Sequence, residues 1–399
     1  MKQFEITYFY GPFPEFIVKP ETIADIAASG MTLVPLHYDA ETNKKALPLL
    51  AHYGLKALIS DSRIGAVYKN NDLAGADAMV KEVVDDYACF DNILGWDVVD
   101  EPAADKFPVL AAIVNAFHKY SPDKETYINL FPNYATPEQL GNPDYMSHLE
   151  AFVNVVQPDQ LSYDHYHFRG RDVDEKCIAD HLDERSRLIH IDAIAPRAEG
   201  QGFFENIEDI RNVAQKYDLD PMLIVLLVEH GPYRNLTRGE IFWEANMCLA
   251  YGMRRISYFT YWTGPYDDFW RTANAMCGSD GTKLPHYYDV QAVNAAIADI
   301  GRWLFDKNCA EVFHLGTPEA GSKIFTPYGG ITAVDGKDGV ISFFDDGSVY
   351  LVNRNFQYEN TFTIHTDQPV AIRKNGIFVD YDINQPITLG AGEAVLLKI

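Results

Sequence analysis

Two glutamates stand out by their surroundings. Glu229 closes the run MLIVLLV, where an isolated carboxylate would cost several kcal/mol unless it reached a polar site. Glu101 lies in GWDVVDEP with Asp97 and Asp100 beside it, and Pro102 predicts an extended backbone at Glu101 as its apolar run stops. Two carboxylates facing each other across a cleft can break a glycosidic bond: one protonates the leaving oxygen while the other attacks the anomeric carbon and carries the glycosyl group. The segment SYDHYHF offers Asp164, His165, Tyr166 and His167, and YFTYWTGP offers Tyr261 and Trp262. Tyr8, Tyr10, His37, Tyr38, Trp262, Tyr266, Phe269 and Trp270 all end or follow apolar runs, where flat rings can stack on sugars. His165 and His167 form an HxH pair, which on one strand face would allow a shared metal ligation using His37 and nearby Asp residues.

These residues have to be held by a scaffold, and the chain supplies a repetitive one. Runs rich in β-branched and aromatic residues recur at 3–10, 31–37, 55–60, 93–100, 125–131, 160–167, 222–229 and 256–262, with helical patterns between them. Eight βα units predict a (β/α)8 TIM barrel over residues 1–308. On that fold the ends of the strands form the site, which is where Glu101, Asp164 and Glu229 fall. No Gly-rich phosphate turn follows the first strand, where the chain reads YGPFPEF. The longest connection, 168–221, predicts an extra helix around 173–190. From 309 to 399 the pattern becomes alternating strands with DDGS and KNGI turns, which predicts a small antiparallel β-sandwich.

Composition excludes several partners. A 399-residue chain with 47% hydrophobic residues can bury a large core, and its net charge of -24 repels phosphate backbones and anionic lipid, so neither nucleic acid nor membrane is an expected partner. Cys89, Cys177, Cys248, Cys277 and Cys309 are an odd set without a CxxC pair, which predicts no disulfide framework, no structural zinc and a reducing compartment. The opening MKQFEITYFYGPFP has no signal-peptide pattern, so a cytoplasmic location is expected.

Placed on this scaffold, the first 305 residues resemble the retaining (β/α)8 glycoside hydrolases of clan A, and FFENIEDIRNVAQKY and LAYGMRRISYFTYWTG are similar to segments of galactosidase-like enzymes. The resemblance implies Glu101, in DEP, as acid/base after strand four and Glu229, in VEHG, as nucleophile after strand seven. It further implies that Tyr166 or His165 contacts the nucleophile and that Trp262 is a sugar platform. The trailing β-sandwich resembles a domain common on such enzymes. One departure is Asp100, where the clan usually has an Asn that binds the sugar 2-hydroxyl; an ionised Asp accepts but cannot donate.

The expected function is therefore a cofactor-free, metal-free retaining glycoside hydrolase acting on a carbohydrate substrate, with Asp100, Asp164, His165, Tyr166, Trp262, Tyr10 and His37 around the sugar. Its carboxyl groups should stand about 5–5.5 Å apart. A metal-dependent sugar isomerase or amidohydrolase, or a silent carbohydrate-binding barrel, are the alternatives.

Overall fold

A computed structural model describes residues 3–170, 198–264 and 272–399. Eight parallel strands form one sheet: β1 (Glu5–Phe9), β2 (Leu33–Leu36), β3 (Lys56–Ile59), β4 (Ile93–Asp100), β5 (Glu125–Leu130), β6 (Gln160–Asp164), β7 (Asp220–Leu226) and β8 (Arg255–Phe259). Their order is β1-β8-β7-β6-β5-β4-β3-β2. The remaining seam, β1 to β2, is bridged by Thr32, whose N–H donates to the Ile6 carbonyl at 2.9 Å and whose hydroxyl oxygen accepts from the Ile6 N–H at 2.9 Å. The result is a nearly closed (β/α)8 barrel. The predicted 173–190 helix, Cys177, Tyr266, Phe269 and Trp270 lie outside the described residues.

The interior is layered by period-two alternation. At the base, Glu5 pairs with Lys56 at 2.6 Å and Glu125 with Arg255 at 2.6 Å, and Arg255 also donates to Gln160 at 2.7 Å. Above them Phe9, Leu33, Leu58, Tyr127, Met222 and Ile224 form an apolar plug. Gly95 in β4 passes so close to β5 that a Cβ there would stand 2.4 Å from the Glu125 carbonyl oxygen. Outside the sheet, helices such as Phe203–Tyr217 and Arg238–Ala250 cover the strands; the latter begins with a capping box between Thr237 and Glu240.

One irregularity in β4 matters for the site. Asp97 is paired with Tyr127, Val99 with Ile128 and Asp100 with Asn129, so Val98 is an extra residue. Strict alternation would send Asp97 and Asp100 to opposite faces; the bulge turns both into the barrel.

The C-terminal region holds β9 (Cys309–Leu315), β10 (Ile331–Asp335), β11 (Gly339–Phe344), β12 (Ser348–Asn353), β13 (Asn360–Thr366), β14 (Val370–Lys374), β15 (Ile377–Tyr381), β16 (Ile387–Leu389) and β17 (Ala394–Lys398). They make a six-stranded sheet, β9-β11-β12-β17-β14-β15, and a three-stranded sheet, β10-β13-β16. Between the sheets lies a core that includes Phe343, Leu351, Phe362 and Leu397. The KNGI turn joins β14 to β15 with Asn375 and Gly376 both at positive φ, 50° and 82°, as a two-residue hairpin turn requires. This sandwich packs on the barrel helices: the Tyr350 hydroxyl donates to Asn246 at 2.7 Å, Asn246 donates to the Gly392 carbonyl at 2.7 Å, and the Trp303 indole donates to Ser348 at 3.0 Å.

Candidate active site

Four carboxyl groups converge where β4 and β6 end. Asp97 is buried and meets the His37 ring at 2.6 Å. Burial, the largest single influence, pulls the His37 imidazole down, but the Asp97 charge, the Asp97 hydrogen bond and the Asp100 charge together outweigh it and the net shift is upward. Asp100 keeps a face open to the mouth; its withdrawal from bulk water, and then the Asp97 charge, raise its carboxyl above the usual range.

Glu101 departs from the extended backbone that Pro102 predicts. Its φ is +48°, a left-handed conformation that costs a β-carbon residue about 1–2 kcal/mol. Two contacts offset that cost: its N–H donates to the Asn129 carbonyl at 2.9 Å, and its carboxyl comes within hydrogen-bonding reach of Asp164. Burial first, and the Asp100 charge second, push Glu101 up to about 7, with the Asp164 contact opposing them.

Asn129, which the sequence reading missed, ties the cluster together. Its amide nitrogen donates to Asp100 at 3.0 Å and to Asp164 at 2.9 Å, while its side-chain oxygen accepts from the Ser162 hydroxyl at 3.0 Å. It occupies the inward parity of β5 with Tyr127, so alternation within ETYINLF was the signal available.

Across the mouth, β7 stops at Leu226, three residues before the predicted end. The N–H groups of Leu227 and Val228 both donate to the Phe259 carbonyl, at 2.7 and 2.9 Å, and sharing one acceptor breaks the ladder and turns the chain. Glu229 then forms an antiparallel bridge with Ala273, and Asn274 donates to its Oε2 at 2.7 Å. Asn274, itself at φ +57°, is a second residue the sequence reading missed.

The other expected site residues divide. Tyr10 is 54% exposed and its hydroxyl is raised by burial and by Asp100, Glu101 and Asp97, so its ring stands beside the carboxylates. Tyr166 lies between Asp164, whose charge helps to raise its hydroxyl after burial, and the segment after Glu229, packing edge-on to Tyr233 at 5.2 Å and His230 at 5.8 Å. Trp262 is a buried residue. It is 3% exposed and buried against Phe13 and Phe16, so it offers no sugar-stacking face. His165 also turns away: β6 ends at Asp164, and the His165 ring goes outward to Asn206 at 3.0 Å and to Phe203, where burial drives it down to about 3. His167 stacks on Trp243 at 4.8 Å, while His37 sits with Asp97, so the HxH pair and His37 do not converge. Among the described residues no three His, Cys, Asp or Glu side chains are grouped as ligands of one metal ion.

No protein-family model matches the sequence, and no curated protein matches it. Solved structures do share the fold. A GH42 beta-galactosidase from G. stearothermophilus superposes with a TM-score of 0.62 at 9% identity, covering 99% of this chain and 98% of that one. Beta-galactosidases from Rahnella sp. R3 (TM-score 0.52, 9% identity, 77% of this chain) and the psychrophilic Marinomonas ef1 (0.51, 10%, 77%) are also similar. This chain spans 58% and 62% of those two enzymes. The likeness is one of fold.

Proposed function

We propose that the protein is a retaining glycoside hydrolase, with a catalytic barrel over residues 1–308 and a supporting sandwich over 309–399. The observation that carries the reading is Glu101, a partly buried carboxyl held near pKa 7 at the mouth of a barrel whose solved relatives in fold include beta-galactosidases. A carboxyl with that pKa is half protonated near neutrality, which suits a group that first gives and then takes a proton.

In this reading Glu229 attacks the anomeric carbon as Glu101 protonates the departing oxygen, leaving a glycosyl ester on Glu229 and a free alcohol. Glu101, now a carboxylate, takes a proton from water as that water attacks the anomeric carbon. Glu229 leaves as carboxylate, and the sugar keeps its configuration. Asn274 donates to one Glu229 oxygen and so orients the carboxylate that attacks the sugar. Tyr10 supplies the stacking face and Tyr166 a hydroxyl; Asp100 and the His37–Asp97 pair accept and donate to sugar hydroxyl groups. A reducing, cytoplasmic setting fits the free thiols of Cys89, Cys248, Cys277 and Cys309.

A panel of nitrophenyl glycosides, assayed with and without exhaustive chelation, tests the assignment. Turnover of at least one sugar, unchanged by chelator, is expected. Inactivation restored by a divalent ion, or binding of sugars with no turnover of any, would reject it.

A further inference from the structure

Asp164 touches the acid/base group without a step of its own in the mechanism above. Its carboxyl ends β6, is 6% exposed and lies within hydrogen-bonding reach of Glu101. Two carboxyl groups in contact cannot both be ionised cheaply, because mutual repulsion adds to lost hydration. The surroundings give little relief. β4 presents Glu101 and Asp100 to it; β5 and the turn that follows present Asn129 and Tyr134. Tyr163 and Tyr166 flank it in sequence, Tyr233 faces it from beyond β7, and Tyr145 from the helix Tyr145–Val156. None of these groups is a cation. Asn129 gives Asp164 one amide hydrogen and spends the other on Asp100, and Ser162 fixes the amide in that orientation.

We propose that Asp164 is kept as a neutral acid and donates its hydroxyl to Glu101 whenever Glu101 is a carboxylate. It is thus a positioning residue for the acid/base, and the proposal rests on that reading of Glu101. Asp164 surrenders no proton. When Glu101 has protonated the leaving oxygen, the carboxylate left behind receives the Asp164 O–H as a hydrogen bond, and the contact reverts when water returns a proton to Glu101. The stabilised conjugate base makes Glu101 a better acid, and the contact holds its carboxyl in one orientation.

Infrared spectroscopy and pH profiles of the full chain test this. At about pH 8, above the Glu101 titration, the wild-type-minus-Asp164→Asn difference spectrum should show one protonated-carboxyl C=O band, the band of the buried Glu244 carboxyl cancelling between the two. In kinetics, Asp164→Asn retains a neutral donor, so the alkaline limb of kcat/KM should stay in place. Asp164→Leu retains none, so the limb should move up by about one pH unit, with poor leaving groups losing about tenfold more than good ones. A difference spectrum without that band at about pH 8 would overturn the proposal. So would an Asp164→Asn limb that moves down, as loss of a negative charge requires. The infrared result needs no substrate, so it stands apart from whether any glycoside is cleaved.

Discussion

At the base of the barrel Glu5 meets Lys56 and Glu125 meets Arg255, each at 2.6 Å, whereas at the mouth Asp100 and Asp164 share the Asn129 amide and Glu101 comes within hydrogen-bonding reach of Asp164. Both sets are carboxylates carried by strands of the same sheet. At the base each carboxylate has its cation, which removes it from chemistry and joins β1 to β3 and β5 to β8. At the mouth burial, and after it the Asp100 charge, raise the proton affinity of Glu101 toward neutrality. The difference teaches that burial alone does not make a reactive carboxyl; burial without a counter-ion does.

The largest effects should come from the mouth. Glu229→Gln should lower kcat by at least about 10⁴-fold, while Glu101→Ala should spare activated aryl glycosides in the first step, slow the second, and regain turnover with azide, seen by steady-state and burst kinetics. Equal loss on all leaving groups in Glu101→Ala would remove its role as acid.

At the base, Arg255→Met leaves Glu125 buried without its cation and should cost about 3–5 kcal/mol in urea unfolding, with kcat of the folded enzyme little changed. A large fall in kcat with no fall in stability would erase the contrast between the two ends. Tyr10→Ala should raise KM about tenfold through loss of a stacking face, with a smaller change in kcat.

The smallest effect concerns pH and stability. Glu101 rises from 4.5 to about 7 on folding, so between those values the folded state binds more protons than the unfolded one, and stability falls as pH increases. After allowance for its partial exposure, Glu101 contributes on the order of 1 kcal/mol to that fall. Glu101→Gln should flatten the slope, measured by urea unfolding across this range. An unchanged slope would place the neutral-range titration elsewhere.

The sequence made the eight strands legible because alternating β-branched and aromatic runs report burial directly. It also marked Glu101, Glu229 and Tyr10, polar or half-polar groups at the ends of apolar runs. What it hid depends on pairing between strands. The bulge at Val98, which brings Asp97 and Asp100 to one face, exists only in the register with β5. The early end of β7 follows from two N–H groups sharing the Phe259 carbonyl. His165 faces outward because β6 ends before it, and Trp262 is covered by Phe13 and Phe16, some 250 residues away in the chain.

The central claim is that the mouth works as a two-glutamate displacement site, and trapping the intermediate tests it most directly. The protein would be incubated with an activated 2-deoxy-2-fluoro glycoside of a sugar it turns over, digested, and its peptides weighed. The account predicts one glycosyl adduct on the peptide carrying Glu229, absent from Glu229→Gln. An adduct on Glu101 or Asp164, or no adduct with product of inverted configuration, would contradict it.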